Sequence, residues 1–170
     1  MTGRANPWRP IETRLLAEYL PIRFPGRRAI QNVRVGPLHP SLVQPGMDES
    51  ELAAAGVWRR WVDAVVIDPP QVILIEAGVK PNPGKIGQLA TYLELWPHTP
   101  EFAEYAAWPV RGHVVFAVDD GASRRLAARL GMTLEVFSPA WVSSYFQTLA
   151  PSKRRSPLDA LPLSPPPAPP

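Results

Sequence analysis

Apolar positions along the chain switch between helical and strand spacing. Ile11, Leu15, Leu16, Tyr19 and Leu20 fall on one face of a helix, with Pro10 suited to its first turn and Pro21 to its end. Ala29–Val35 reads as a strand closed by Gly36-Pro37. Residues 38–57 are irregular apart from a short acidic helix near Asp48–Ala55. Trp61–Ile67 and Val72–Val79 are two β-branched runs joined by Asp68-Pro-Pro-Gln, which predicts an antiparallel hairpin. A loop, Pro81-Asn-Pro-Gly, precedes a helix over Lys85–Trp96 with Ile86, Leu89, Ala90, Leu93 and Trp96 on its apolar face. Glu101–Ala107 adds a short helical stretch. Gly112–Val118, Ala122–Leu130, Met132–Phe137 and Pro139–Leu149 then read as strand, helix, strand and helix, with Gly131 ending the first of those helices. The order predicts an α/β domain with a central mixed sheet flanked by helices, and a parallel crossover near its end.

Composition narrows the chemistry. The 170 residues are 45% hydrophobic, enough to bury a core, and no apolar run reaches the ~20 residues of a membrane helix. The first ten residues carry no apolar stretch of the export type, so the expected compartment is the cytoplasm. The chain has no cysteine, which excludes disulfides, thiolate metal ligands and a cysteine nucleophile. Eight of the 23 prolines lie in 151–170, so the expected organisation is a domain over 1–150 and a flexible, partly polyproline-II tail that suits docking to a protein partner. Residues 1–37 carry a net charge of +5 and residues 38–150 one of −4, so the basic character is local and suits a polyanion partner.

Two carboxylates stand out. Asp63 sits among Val62, Ala64, Val65 and Val66, and Glu76 follows Val72-Ile-Leu-Ile. A carboxylate in an apolar strand is costly without a partner, and two on adjacent strands of one hairpin share an economical explanation in a divalent cation. Hard oxygen ligands suit Mg²⁺ or Mn²⁺, which also draw in phosphate. Strand alternation puts Glu76, Gly78 and Lys80 on one face, where Lys80 can orient a water or neutralise charge on a phosphate. The competing reading has both acids as strand-end residues paired with Arg59, Arg60 or Lys80. Pro81-Asn-Pro-Gly-Lys85 lacks the glycine spacing of a nucleotide-binding loop, although Lys85 near a helix start suits a phosphate contact. His113 reads as a structural histidine, and Asp119-Asp120 as a helix cap.

Asp63, Glu76 thirteen residues later, and a nearby lysine in a hairpin followed by a helix resemble the PD-(D/E)XK nuclease superfamily. Ile73-Leu-Ile-Glu-Ala-Gly-Val-Lys-Pro looks like its second motif, and Gln88-Leu-Ala-Thr-Tyr92 is similar to the Gln-x-x-x-Tyr motif of the RecB-like branch. The family core is helix, three strands, helix, strand, an order that residues 10–118 follow. The resemblance implies a restriction-endonuclease-like fold and Mg²⁺ or Mn²⁺ held by Asp63, Glu76 and the Ala77 carbonyl. It implies a further carboxylate from the first helix, for which Glu18 is preferred over Glu12. Gln88, Tyr92 and Lys85 would bind substrate.

The sequence departs from the family at the lysine of Glu-x-Lys, where Gly78 stands. Either Lys80 takes over that role or the fold is kept without catalysis. The expected function is metal-dependent DNA hydrolysis without sequence specificity, in a stand-alone nuclease of a phage or mobile element located in the host cytoplasm or a virion. The alternative is a nuclease-fold module serving a virion or a DNA-processing assembly. On this reading, Gly78→Lys raises cleavage if the lysine was simply lost.

Overall fold

The computed structural model describes residues 9–48, 50–51, 55–56 and 59–149. The chain divides into two compact units after Pro139, inside the span expected for one domain. The proline-rich segment 151–170 lies outside the described residues. The first unit runs α1 (Arg9–Arg23), β1 (Arg28–Val35), β2 (Arg60–Asp68), β3 (Gln71–Gly78), α2 (Pro83–Leu95), β4 (Val110–Phe116), α3 (Gly121–Arg129) and β5 (Thr133–Val136). Short 3₁₀ turns at Pro40–Leu42, Trp96–His98 and Pro100–Tyr105 fill the connections. The second unit contributes α4 (Trp141–Leu149), along which the Trp141 and Tyr145 rings meet edge to face.

The five strands form one mixed sheet in the order β1-β2-β3-β4-β5. β1, β2 and β3 pair antiparallel, and β4 and β5 add in parallel, as hairpin and crossover connections require. Alternation along β3 and β4 sends Val72, Leu74, Val114 and Phe116 into a core with Ile86 and Leu89 of α2. His113, between Gly112 and Val114, turns the other way and meets Tyr19 of α1. Leu15, Leu16, Tyr19 and Leu20 of α1 are buried, and α1 packs on β3.

Pro21 does not stop α1, which runs on to Arg23. A proline in the last turn removes one donor only, and Phe24 closes the helix through its N–H to the Leu20 carbonyl at 2.9 Å. α2 begins two residues before the expected start. Asn82 caps it by accepting the Gly84 N–H at 2.9 Å, and Pro83 occupies the first turn. Asp48 and Glu51 exchange hydrogen bonds of 2.8 Å between side chain and backbone, a capping box where a short acidic helix was expected. Asp120 caps α3 through the Ser123 N–H at 2.7 Å, and Gly131 ends α3 at a φ of 68°.

Candidate functional site

The site forms where the β2–β3 ladder stops. Register pairing runs from Asp68↔Gln71 to Ala64↔Ile75, and the next pair would be Asp63 and Glu76. There the side chains replace the ladder. The Asp63 N–H donates to Glu76 Oε1 at 3.3 Å, and the Ala77 N–H donates to Asp63 Oδ2 at 3.0 Å. Both acids are thereby held close together, and Glu76 is buried, with 2% of its surface exposed. Ala77 enters the site through its N–H.

The third member comes from α2. Lys85 lies in the first helical turn, and a helical side chain leans toward the N-terminus, which here faces the end of the ladder. Its ammonium stands 3.1 Å from Asp63 Oδ2, 3.3 Å from Glu76 Oε2 and 3.4 Å from Glu12 Oε2. The Lys85 and Glu12 side chains are largely buried and that of Asp63 is partly so. One ammonium thus faces three carboxylates donated by α1, β2 and β3.

Burial pushes the Glu76 carboxyl up to about 8, and the neighbouring Asp63 charge adds to the shift against the opposing pull of Lys85. Burial also raises Glu12, with Lys85 opposing it. Burial alone would discharge Lys85, but Asp63, Glu76 and Glu12 overcome that effect and hold its ammonium charged. The cluster therefore carries more negative than positive charge when its acids ionise. Its donors are hard carboxylate oxygens with no sulfur, a set that fits Mg²⁺ or Mn²⁺. Among the described residues, no three His, Cys, Asp or Glu side chains already stand as a metal-binding group.

No family model and no curated protein sequence matches the chain. Three of the solved structures it resembles are EndoMS bound to double-stranded DNA, a repair endonuclease from Pyrococcus abyssi and a protein from Vibrio cholerae. Identities are 16%, 15% and 15%, and TM-scores are 0.47, 0.47 and 0.43. The matches cover 82%, 82% and 81% of this chain but 48%, 50% and 31% of the others. The chain spans about half the length of the first two.

The expected site residues separate into three groups. Asp63, Glu76 and Lys85 converge. Lys80 and Gln88 line a cavity of about 380 Å³ beside them, together with Glu12, Val79 and Asn82. Lys80 is exposed where it lines this cavity, and Lys85 is the lysine that contacts both acids. Tyr92 is buried one helical turn beyond Gln88, and its hydroxyl is pushed up by burial and then by the Glu76 charge. Glu18 lies elsewhere, paired with Arg14 at 3.1 Å on the exposed side of α1, and Glu12 is the α1 carboxylate in the cluster. A spacing of six residues separates the two by more than one and a half turns, enough to put them on different faces.

Gly78 is closed to a side chain. A Cβ there would lie 2.9 Å from the Lys80 carbonyl oxygen and 3.2 Å from the Phe116 ring. The expectation that Gly78→Lys restores a lost function meets this obstacle, because the backbone of Lys80 folds over the position. The signal for Lys85 was present in the sequence as a lysine three residues after a helix-capping asparagine. Its reach back to two strands depends on where α2 docks, which spacing alone does not give.

Proposed function

We propose that this protein is a metal-dependent nuclease that hydrolyses phosphodiester bonds of DNA. The observation that carries the reading is the contact of the Lys85 ammonium with Asp63 and Glu76 at the end of the β2–β3 ladder. It supplies from α2 the charge that the Glu-x-Lys pattern would place at Gly78. The empty Gly78 position, which favoured a non-catalytic module, thus has a physical counterpart.

Asp63 and Glu76 would hold Mg²⁺ or Mn²⁺, with Glu12 beside them. The cation, when bound, would lower the pKa of a coordinated water and polarise a phosphate oxygen. Lys85 orients the attacking water and offsets negative charge developing on the phosphate. Burial of Glu76 and Lys85 keeps bulk water from screening these charges. Lys80 and Gln88, at the cavity rim, hold the flanking phosphates. Tyr92, whose hydroxyl feels the Glu76 charge, would contact the substrate backbone or brace the site. No helix of the described residues is long and apolar enough to cross a membrane, and the basic segment 1–37 suits a phosphate backbone whose sequence is not read.

The test is cleavage of linear, nicked and branched DNA with Mg²⁺ and with Mn²⁺. Cleavage that needs the cation and is lost in both Asp63→Asn and Lys85→Ala supports the reading. DNA left intact under all these conditions removes it.

A further inference from the structure

A second cavity, also of about 380 Å³, lies at the opposite end of β3 from the carboxylate cluster. Gln71 and Arg111, near the starts of β3 and β4, stand on its wall, and Glu76 is five residues further along β3, about 17 Å at strand rise. Three arginines line it from three elements: Arg23 from the end of α1, Arg27 from the turn before β1 and Arg111 from β4. Each is anchored through its Nε. Arg23 Nε meets Glu135 Oε1 at 2.8 Å, Arg27 Nε meets Asp68 Oδ1 at 2.7 Å, and Arg111 Nε donates to Gln71 Oε1 at 2.9 Å.

Tethering at Nε orients a guanidinium and leaves the terminal nitrogens of Arg27 and Arg111 as forks for an oxyanion, while Arg23 also bonds the Tyr19 hydroxyl and adds its charge. Two such forks and a third guanidinium around one concavity are partly pre-oriented by their tethers, which lowers the ordering cost when a ligand binds. The charges also favour an anion. Three guanidiniums face two carboxylates, Asp68 and Glu135, and Arg111 is tethered by a neutral amide. The Thr133 hydroxyl and the buried His113 add neutral polar groups to the lining. A concave pocket of this volume suits a small charged group entering end-on, within the roughly 300–1,000 Å³ of ordinary ligand sites. A continuous nucleic-acid backbone needs an open track on both sides.

We infer that the Arg23–Arg27–Arg111 cavity is a binding site for a phosphate monoester, separate from the carboxylate cluster. The ester comes either as a free nucleoside monophosphate or as the terminal phosphate of a nucleic-acid strand. Either source presents the same dianionic group with three free oxygens.

The experiment is a binding titration of the full chain without divalent metal, which keeps it independent of cleavage at the other site. The probes are inorganic phosphate, deoxyadenosine monophosphate, and one short oligonucleotide with and without a 5′-phosphate. Saturable binding of the monophosphate, weakened about tenfold or more in Arg111→Gln and in Arg27→Gln, is expected from loss of a charge-assisted pair. An oligonucleotide that binds more tightly with its 5′-phosphate than without identifies a strand end as the source. Equal binding of the two oligonucleotides identifies the free nucleotide. Circular dichroism melts of both variants confirm that they fold. No saturable binding of phosphate or monophosphate at millimolar concentration overturns the proposal. So does monophosphate binding that neither substitution weakens.

Discussion

Lys85 is one positive charge among three acids, and the geometry separates its role from that of Lys80. Its ammonium lies within 3.4 Å of Glu12, Asp63 and Glu76, whereas Lys80 lines the cavity rim. Lys85→Ala should lower metal-dependent cleavage by about 10²–10⁴-fold, the range for a group that orients a nucleophile or offsets transition-state charge. Lys80→Ala should cost less than about tenfold in the same assay. Equal losses would contradict the assignment. Gly78 tests the same geometry from the other side. Gly78→Ala sets a methyl against the Lys80 carbonyl, and should destabilise the protein by about 1–3 kcal/mol in denaturant unfolding. Gly78→Lys should be at least as destabilising and should not raise activity. A fully stable, more active Gly78→Lys variant would show that the backbone over this position yields easily.

At the scale of elements, α2 and the broken hairpin together make the site, and they were unequally legible. The hairpin, its β-branched runs and its two misplaced carboxylates could be read directly, because strand alternation assigns faces without knowing what packs there. The α2 helix was legible too, but Lys85 was assigned to substrate and Lys80 to catalysis. Along the chain Lys80 is nearer to Glu76, and spacing alone does not show that docking of α2 brings the Lys85 ammonium within 3.3 Å of Glu76. The choice of Glu18 over Glu12 failed for a related reason. Both lie on a helix whose apolar face is clear, and neither belongs to that face, so the pattern did not say which one meets the sheet. Pro21 was read as a stop, although a last-turn proline leaves the preceding turns intact. Because α2 carries Lys85 in its first turn, its cap is part of the site. Asn82→Ala removes the bond to the Gly84 N–H and should cost about 1 kcal/mol in stability. The same substitution should reduce cleavage beyond what that stability loss explains. Asn82→Asp, which keeps the cap, should retain the stability.

Across the whole first unit, α1 ties two charged clusters to one sheet. Its first turn gives Glu12 to the carboxylate cluster, and further along Tyr19 joins a second network with His113, Glu135 and Arg23. Tyr19 donates to Glu135 Oε2 at 2.6 Å, so His113 Nε2 must carry the proton that it shares with the Tyr19 oxygen at 2.7 Å. Burial pushes the His113 imidazole down to about 4, outweighing the pull of Glu135. Burial would raise Glu135, but bonds from Tyr19 and Arg23 hold it below its usual range. These two groups therefore bind fewer protons in the folded chain than in the unfolded one in mild acid, whereas Glu76, raised to about 8, binds more. The contribution of the His113 network should be full above about pH 6.5 and should be lost toward pH 4, by a few kcal/mol, while that of Glu76 runs the other way and is lost as pH rises toward 8. His113→Gln should flatten that part of the profile in melts across pH 4–7. The carboxylate cluster responds to a different variable. Its excess negative charge makes a divalent cation a ligand of the folded state alone, so Mn²⁺ should raise the melting temperature by mass action. The gain is about 2.7 kcal/mol at a hundredfold excess over the dissociation constant. Glu76→Gln and Asp63→Asn should each remove most of that response. The metal-free melting temperature should stay the same or rise in Glu76→Gln, since burial of that charge opposes folding. A melting temperature indifferent to millimolar Mn²⁺ would deprive the cluster of its metal. A response kept in both variants would put the cation elsewhere in the molecule.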